Sequence, residues 1–325
     1  MTLSLVAVLK RIETGLLIAN ILVILTFGAI KPIFLSGESM AVLFRFVSVL
    51  AIMAIGEMFV IICGGIDLSP GSVIGLTGMV VAGLITYLGM HWLIAVALTF
   101  LLGIAIGLWH GFFTTRLSPP MPQIAPAFLV TLGTLIVGRG LAQYLTKGYP
   151  IIISAIDQPL FIYLGEGKIF GLPVTVVFLV VVLAVSIYIL YLNPLGRHIY
   201  SIGGNIEAAR VAGVDIHRTR MIAYVIGATL ATLSGILFTA MVNAAYPATG
   251  GGYELTAISS VAIGGVSLAG GEGTPWGTVL GATLVWSIQT GLVVLNVSPY
   301  ITDIITGVIL VAAVGINLYN RIRVR

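Results

Sequence analysis

The chain has 325 residues, 59% of them hydrophobic and only 8% charged, with a mean hydropathy of +1.15. A soluble domain carries about 25% charged residues, so a water-covered globular fold is excluded and the apolar residues must face lipid. The net charge of +4 and pI of 9.2 do not mark a nucleic-acid binder, because the basic residues sit at loop edges and form no dense stripe.

No polar stretch is long enough for a separate aqueous domain, so residues 1–325 read as one membrane domain. A lone cysteine, Cys63, excludes a disulfide framework and a thiolate metal cluster. His91, His110, His198 and His217 have no i,i+4 pair, so no metal site is expected.

The first apolar segment follows Lys10 and Arg11 and superficially resembles a signal peptide. Lys31-Pro32 follows it without a small-x-small cleavage site, so it reads as a retained first helix. A helix needs about 20 apolar residues to cross the hydrocarbon core. Apolar runs between polar or Gly/Pro breaks predict ten spans: about 14–30, 41–63, 71–89, 91–113, 126–145, 173–192, 221–243, 255–270, 277–295 and 300–319. The expected fold is therefore an all-α polytopic membrane protein with both termini on one side, and the eighth span is short for a crossing.

With the termini in the cytoplasm, Lys10, Arg11, Arg116, Arg197, Arg210, Arg218, Arg220, Arg321, Arg323 and Arg325 lie inside. Only Lys31, Lys147 and Lys168 lie outside, which is a positive-inside bias. Small residues at every fourth position, Gly103/Gly107/Gly111 and Ala223/Gly227/Ala231/Gly235, predict faces where helices approach closely.

Gly64-Gly65-Ile66-Asp67-Leu68-Ser69-Pro70-Gly71 is echoed 200 residues later by Gly264-Gly265-Val266-Ser267-Leu268-Ala269-Gly270-Gly271. Glycine-interrupted segments at matching places in duplicated halves point to a transport site; in so glycine-rich a chain, both a duplication and a chance match fit this echo. Asp67 lies in this segment, and two roles fit it: capping the next helix, or lining a path or gate at membrane depth.

Further polar groups fall within spans or at their edges: Arg45, Glu57, Arg139, Asn243, Tyr253, Glu254, Gln289 and Asn317. Arg45 and Arg139 are near outer span ends, where they can snorkel. Glu57 is deeper; it fits either a pair with an arginine or a contact to substrate hydroxyls. The candidate path or gate residues are thus Glu57, Asp67, Ser69, Asn243, Tyr253, Glu254 and Gln289.

The loop 193–220 contains a short helix, with Asn205 as N-cap, Ile206–Ala212 as its turns and Gly213 as its stop. Such a helix serves either a protein partner or the membrane surface. There is no phosphate-cradling loop, since Gly165-Glu166-Gly167-Lys168 lacks the spacing and the hydroxyl, and no nucleophile elbow.

Glu207-Ala208-Ala209 followed by Gly213 resembles the EAA-type coupling helix of ABC importer permeases. Leu195-Gly196-Arg197 and Ile202-Gly203-Gly204-Asn205 resemble the same loop of the ribose/xylose/galactoside class. Gly65-Ile66-Asp67-Leu68-Ser69 with Gly71-Ser72, and Gly252-Tyr253-Glu254-Leu255 with Ile263-Gly264-Gly265 and Leu268-Ala269-Gly270-Gly271, resemble its other blocks. The likeness runs from about residue 41 to 315. The chain departs from it at Glu57, where such permeases usually carry an apolar residue, often Met, and has Pro70 at the variable position.

This resemblance implies a permease subunit that imports a monosaccharide, with Gly203, Gly204, Asn205, Glu207, Ala208, Ala209, Arg210 and Gly213 engaging a cytoplasmic ATPase. It implies no cofactor on this chain, ATP and magnesium on the ATPase, an extracytoplasmic sugar-binding protein, and a second permease subunit, identical or homologous. A proton- or sodium-coupled transporter using Glu57 and Asp67 is the other class that the residues allow. Within the ABC class, a nucleoside, a sugar-derived signal or a branched amino acid is an alternative cargo, the last disfavoured by the small number of buried charges.

Overall fold

The computed structural model describes residues 12–116 and 124–324. Lys10, Arg11, Arg325 and the side chains of Asn317, Arg321 and Arg323 lie outside the described residues. Among these are thirteen α-helices: α1 (Ile12–Ile30), α2 (Gly37–Ile62), α3 (Pro70–Thr86), α4 (Trp92–Thr115), α5 (Ile124–Thr146), α6 (Pro159–Glu166), α7 (Val174–Ile187), α8 (Pro194–Gly204), α9 (Ile206–Val211), α10 (Ile216–Val242), α11 (Tyr253–Ile263), α12 (Pro275–Val294) and α13 (Pro299–Val324). Seven are long and apolar enough to cross a membrane; the apolar helices Pro70–Thr86, Tyr253–Ile263 and Tyr300–Ile309 are shorter. Together they match the ten predicted segments, and the chain is an all-α, multi-pass membrane protein.

The architecture is built around α10, which at 27 residues is roughly 40 Å long. Both predicted small-residue faces meet here. Gly103, Gly107 and Gly111 of α4 lie against Thr232, Val225 and Met221 of α10, leaving no room for a side chain. On its other flank, Gly227 meets Gly56 of α2 and Gly235 meets Ile74 and Thr77 of α3. Ser234 also donates to the Val49 carbonyl at 2.9 Å. Such close backbone approach is what gives helix association its van der Waals energy in lipid. Every residue of α2 from Val47 to Ile62 is consequently buried.

Helix α2 and helix α11 end the same way. Gly64 (φ 76°) and Gly265 (φ 84°) take the left-handed conformation that glycine adopts without steric cost. Each closure repeats the same pair of bonds: Gly64 to Ile61 and Gly65 to Val60, then Gly265 to Ala262 and Val266 to Val261. The backbone echo is therefore one residue out of register with the sequence match. Each following helix opens on a hydroxyl residue and a proline, Ser69-Pro70 or Thr274-Pro275.

After that the two diverge. The 264–274 turn returns at once, and Gly264 touches Gly277 while Gly281 touches the Ser260 carbonyl. The 63–69 segment instead climbs back along α2, so that the Asp67 N–H meets Glu57 at 3.2 Å, roughly 7 Å inward from Ile62 along the helix axis. Helix α3 thus starts inside the bundle. There Gly71 abuts the Gly250 carbonyl and the Glu254 side chain at the start of α11.

The predicted eighth span, 255–270, is the one that changes most. Its helix covers Tyr253–Ile263, because the Gly264-Gly265 closure ends it seven residues early. At about 16 Å it crosses only half of a 30 Å core, and residues 247–252 before it are turns rather than helix.

Away from the α8–α9 end, two short antiparallel ladders join the ends of the bundle. Ile151-Ile152 (β1) pairs with Ala244-Ala245 (β4), and Lys168-Ile169 (β2) with Leu172-Pro173 (β3).

Candidate functional site

Three groups of predicted residues fall in three places. The first is the loop after α7. Asn193 caps α8 by accepting from Leu195 N at 2.9 Å. Asn205 then caps α9, accepting from Ala208 N at 3.0 Å, and Gly213 (φ 80°) ends it. Asp215 caps α10 through Arg218 N at 3.0 Å. Ile206 and Ala209 anchor α9 on the core, whereas Glu207, Ala208, Arg210 and Val211 are exposed. Glu207 and Arg210 pair at 2.9 Å on that outer face.

Helix α8 ties this surface to the bundle, and nothing in the sequence reading placed a helix over 194–204. Ile199 and Ile202 are fully buried. Tyr200 donates to the Gly273 carbonyl at 2.7 Å, and burial, together with neighbouring Tyr191, raises its phenol pKa above the ordinary value. A Cβ on Gly203 would strike the Ile62 carbonyl and Gly271 N, two backbone groups already bonded to each other at 2.9 Å. Gly270 also lies against Gly203 and Gly64. The loop after α7 and both echoed turns therefore meet at one backbone junction.

The second place is the climbing segment. Asp67 does not cap α3 through that helix's own N–H groups; its Oδ1 accepts from Ser69 N at 2.7 Å, and Ser69 occupies the N-cap position. His110 Nδ1 of α4 lies 3.5 Å from Asp67 Oδ2. The Tyr224 hydroxyl donates to the Ile66 carbonyl at 3.3 Å. Glu57, Asp67, Ser69, His110 and Tyr224 are all buried, and Asp67 N, Ser69 N and the Ile66 carbonyl find their partners within the protein, as irregular backbone at membrane depth requires. Among the described residues no ion pair joins Glu57 to an arginine; the hydrogen bond it accepts comes from Asp67 N.

The third place is a cleft of about 620 Å³ between α2, α11, α12 and α13, at the end of the bundle away from α8 and α9. Tyr253 and Gln289 line it, alongside Phe46 and Trp286. Glu254 stands behind Tyr253, bonded at 3.1 Å to Arg139, so Arg139 is an ion-pair partner rather than a snorkelling end-group. Arg45 donates to the Glu166 carbonyl at 2.8 Å. Asn243 belongs to none of these places: it ends α10 in the left-handed region (φ 56°) and donates to Glu166 at 2.8 Å. Among the described residues no group of three His, Cys, Asp or Glu could hold a metal ion.

A second cleft, of about 530 Å³ between α3, α4 and α5, is lined by Leu102, Trp109, Leu129 and other apolar groups. Trp109 and Leu129 are exposed on it, as a lipid-facing groove would have them.

Residues 39–314 match the family described as branched-chain amino acid transport system / permease component. The chain belongs to this family. Among curated relatives, the ribose import permease protein of Escherichia coli (strain K12) is 36% identical over 306 residues, 94% of this chain and 93% of that protein. The corresponding ribose import permease protein of Haemophilus influenzae is 34% identical over 309 residues, covering 95% and 94%. A D-allose transport system permease protein of Escherichia coli (strain K12) is 31% identical over 299 residues, covering 91% and 88%. No solved structure matches the chain.

The site residues that sequence reasoning missed are His110, Tyr200, Tyr224, Phe46 and Trp286. Aromatic residues and a lone histidine inside apolar runs give no signal of their own; only the packing of distant helices brings them to these places.

Proposed function

We propose that this chain is the membrane-spanning subunit of an ATP-driven importer of a small sugar, a pentose or hexose. In this reading its termini and α9 lie in the cytoplasm, an ATPase subunit docks on α9, and a binding protein delivers the sugar to the opposite end. ATP and magnesium belong to the ATPase, and a second permease subunit faces this one.

The observation that carries the reading is the junction at Gly203. A six-residue helix with an exposed face has no purpose in crossing a membrane, yet it follows directly on a helix locked to both turns that end α2 and α11. Displacing α9 therefore moves the inner ends of two helices whose other ends border the outer cleft. ATPase closure would in this way reach the far side of the bundle through rigid elements. The relatives named for ribose and D-allose transport support a monosaccharide as cargo.

Reconstitution with candidate ATPase and binding-protein partners tests this. ATP-dependent uptake of D-ribose, D-allose or D-xylose that needs every partner is the expected result. Uptake by the chain alone, collapsing with an ionophore, would overturn it. So would intact ATPase association and transport after Glu207 and Gly213 are both replaced.

A further inference from the structure

The outer cleft has a composition that lipid would not tolerate. Gln289 and Thr306 bond to each other across it at 3.1 Å, and exposed Asp303 stands at its rim. Amide and carboxylate groups facing hydrocarbon are costly, so this space holds water or a solute. Its volume lies within the range of roughly 300–1,000 Å³ usual for small-molecule sites.

The wall opposite is aromatic and fixed. Phe46 and Trp286 stack with centroids 5.7 Å apart and planes at 30°. Tyr253 meets Trp286 edge-on at 5.9 Å and 83°. A sugar ring offers C–H faces that such rings cover, while its hydroxyls need donors and acceptors like those of Gln289, Thr306 and Asp303. The floor is Gly251–Tyr253, where the crossing breaks and α11 begins halfway through the membrane. Discontinuous helices border the substrate in many transporters. By contrast, the lipid-facing groove beside Trp109 has a comparable volume and almost no polar lining.

Resting on the importer reading above, we infer that this cleft is the outward half of the sugar path, with Trp286 and Phe46 as ring platforms and Gln289, Thr306 and Asp303 as hydroxyl partners.

The test uses the complete importer in liposomes, with D-ribose, D-allose and D-xylose as probes. Trp286→Ala lowers uptake about tenfold, as loss of an aromatic platform implies, whereas Trp286→Phe largely restores it. Trp109→Ala, in the lipid-facing groove, leaves uptake unchanged. ATPase stimulation by the loaded binding protein reports whether the Trp286→Ala complex is intact.

Because native Cys63 is buried, Thr290→Cys supplies a single reactive thiol in the cleft that does not depend on truncating Trp286. Its modification by an impermeant maleimide slows severalfold when the transported sugar is present during turnover. Unchanged uptake in Trp286→Ala, or a labelling rate at position 290 indifferent to sugar, overturns the cleft assignment and leaves the importer reading standing. No ATP-dependent uptake of any probe by the unsubstituted complex overturns the importer reading itself, and the assignment with it.

Discussion

The turn after α2 and the turn after α11 share one backbone motif and one partner, the Gly203 junction, but they carry different loads. The 264–274 turn folds back tightly on glycine contacts and its own short bonds, Ser267 accepting from Ala269 N at 3.2 Å. The 63–69 segment rises into the bundle with a carboxylate, and meets a glutamate, a histidine and a tyrosine there. A helix reversal at a membrane surface needs only a left-handed glycine and a proline restart. A reversal that continues inside the membrane must also satisfy its freed N–H and C=O groups, and here side chains take up Asp67 N, Ser69 N and the Ile66 carbonyl.

The comparison can be broken most severely at the shared junction. Gly203→Val places a branched side chain on the backbone of both turns, and a loss of about 3 kcal/mol or more is expected. Thermal unfolding in detergent should show it, together with lost transport. Gly204→Ala is the matched control, because a Cβ there meets nothing. A normal Gly203→Val protein would show that the two turns are not held together at this point.

The difference between the turns is sharpened next. Asp67→Ala strips the carboxylate from Ser69 N and His110, and should cost about 2 kcal/mol by leaving buried groups without partners. Ser267→Ala should cost no more than about 1 kcal/mol, the usual worth of one neutral hydrogen bond. Equal losses in chemical denaturation would mean that the polar load does not distinguish them.

A smaller effect, about 1 kcal/mol, is expected from Asn205→Ala, which removes the cap of α9. Because that helix faces the ATPase in the proposed importer, transport should fall by more than overall stability does. Glu57→Met should change stability by less than about 1 kcal/mol, since the desolvation of a buried carboxylate offsets the hydrogen bond lost from Asp67 N. Sugar uptake that drops tenfold in this variant would instead place Glu57 on the path. Least of all, Arg210→Ala should alter stability by about 0.3 kcal/mol, as exposed i,i+3 pairs do.

Much of this fold was legible because it follows from local rules. Ten apolar runs became ten apolar helices, the every-fourth-residue glycines found their partners on α10, and Asn205 with Gly213 framed α9. What escaped reading depends on distance in the chain. Arg139 and Glu254 are 115 residues apart, so no local pattern links them. Helix α8 was hidden because Gly196, Gly203 and Gly204 look like loop, whereas each glycine serves a close contact or leads to a cap. The climb of 63–69 was hinted at by Asp67 among apolar spans. Its depth became visible only when Glu57 accepted from it. The cleft was half foreseen, through Tyr253 and Gln289; Phe46, Trp286, Asp303 and Thr306 join it only through the packing of α2, α12 and α13.

The end of α10 has a consequence for whatever lands on the outer face. Its last turn is bolted to Glu166 by Asn243, and the chain then runs into a ladder with Ile151 and Ile152. Surface segments that are ordered before contact lose little freedom on association. A visiting protein would therefore meet a preformed plate, and its residence time would be set by how well the two shapes match rather than by the cost of freezing a loop.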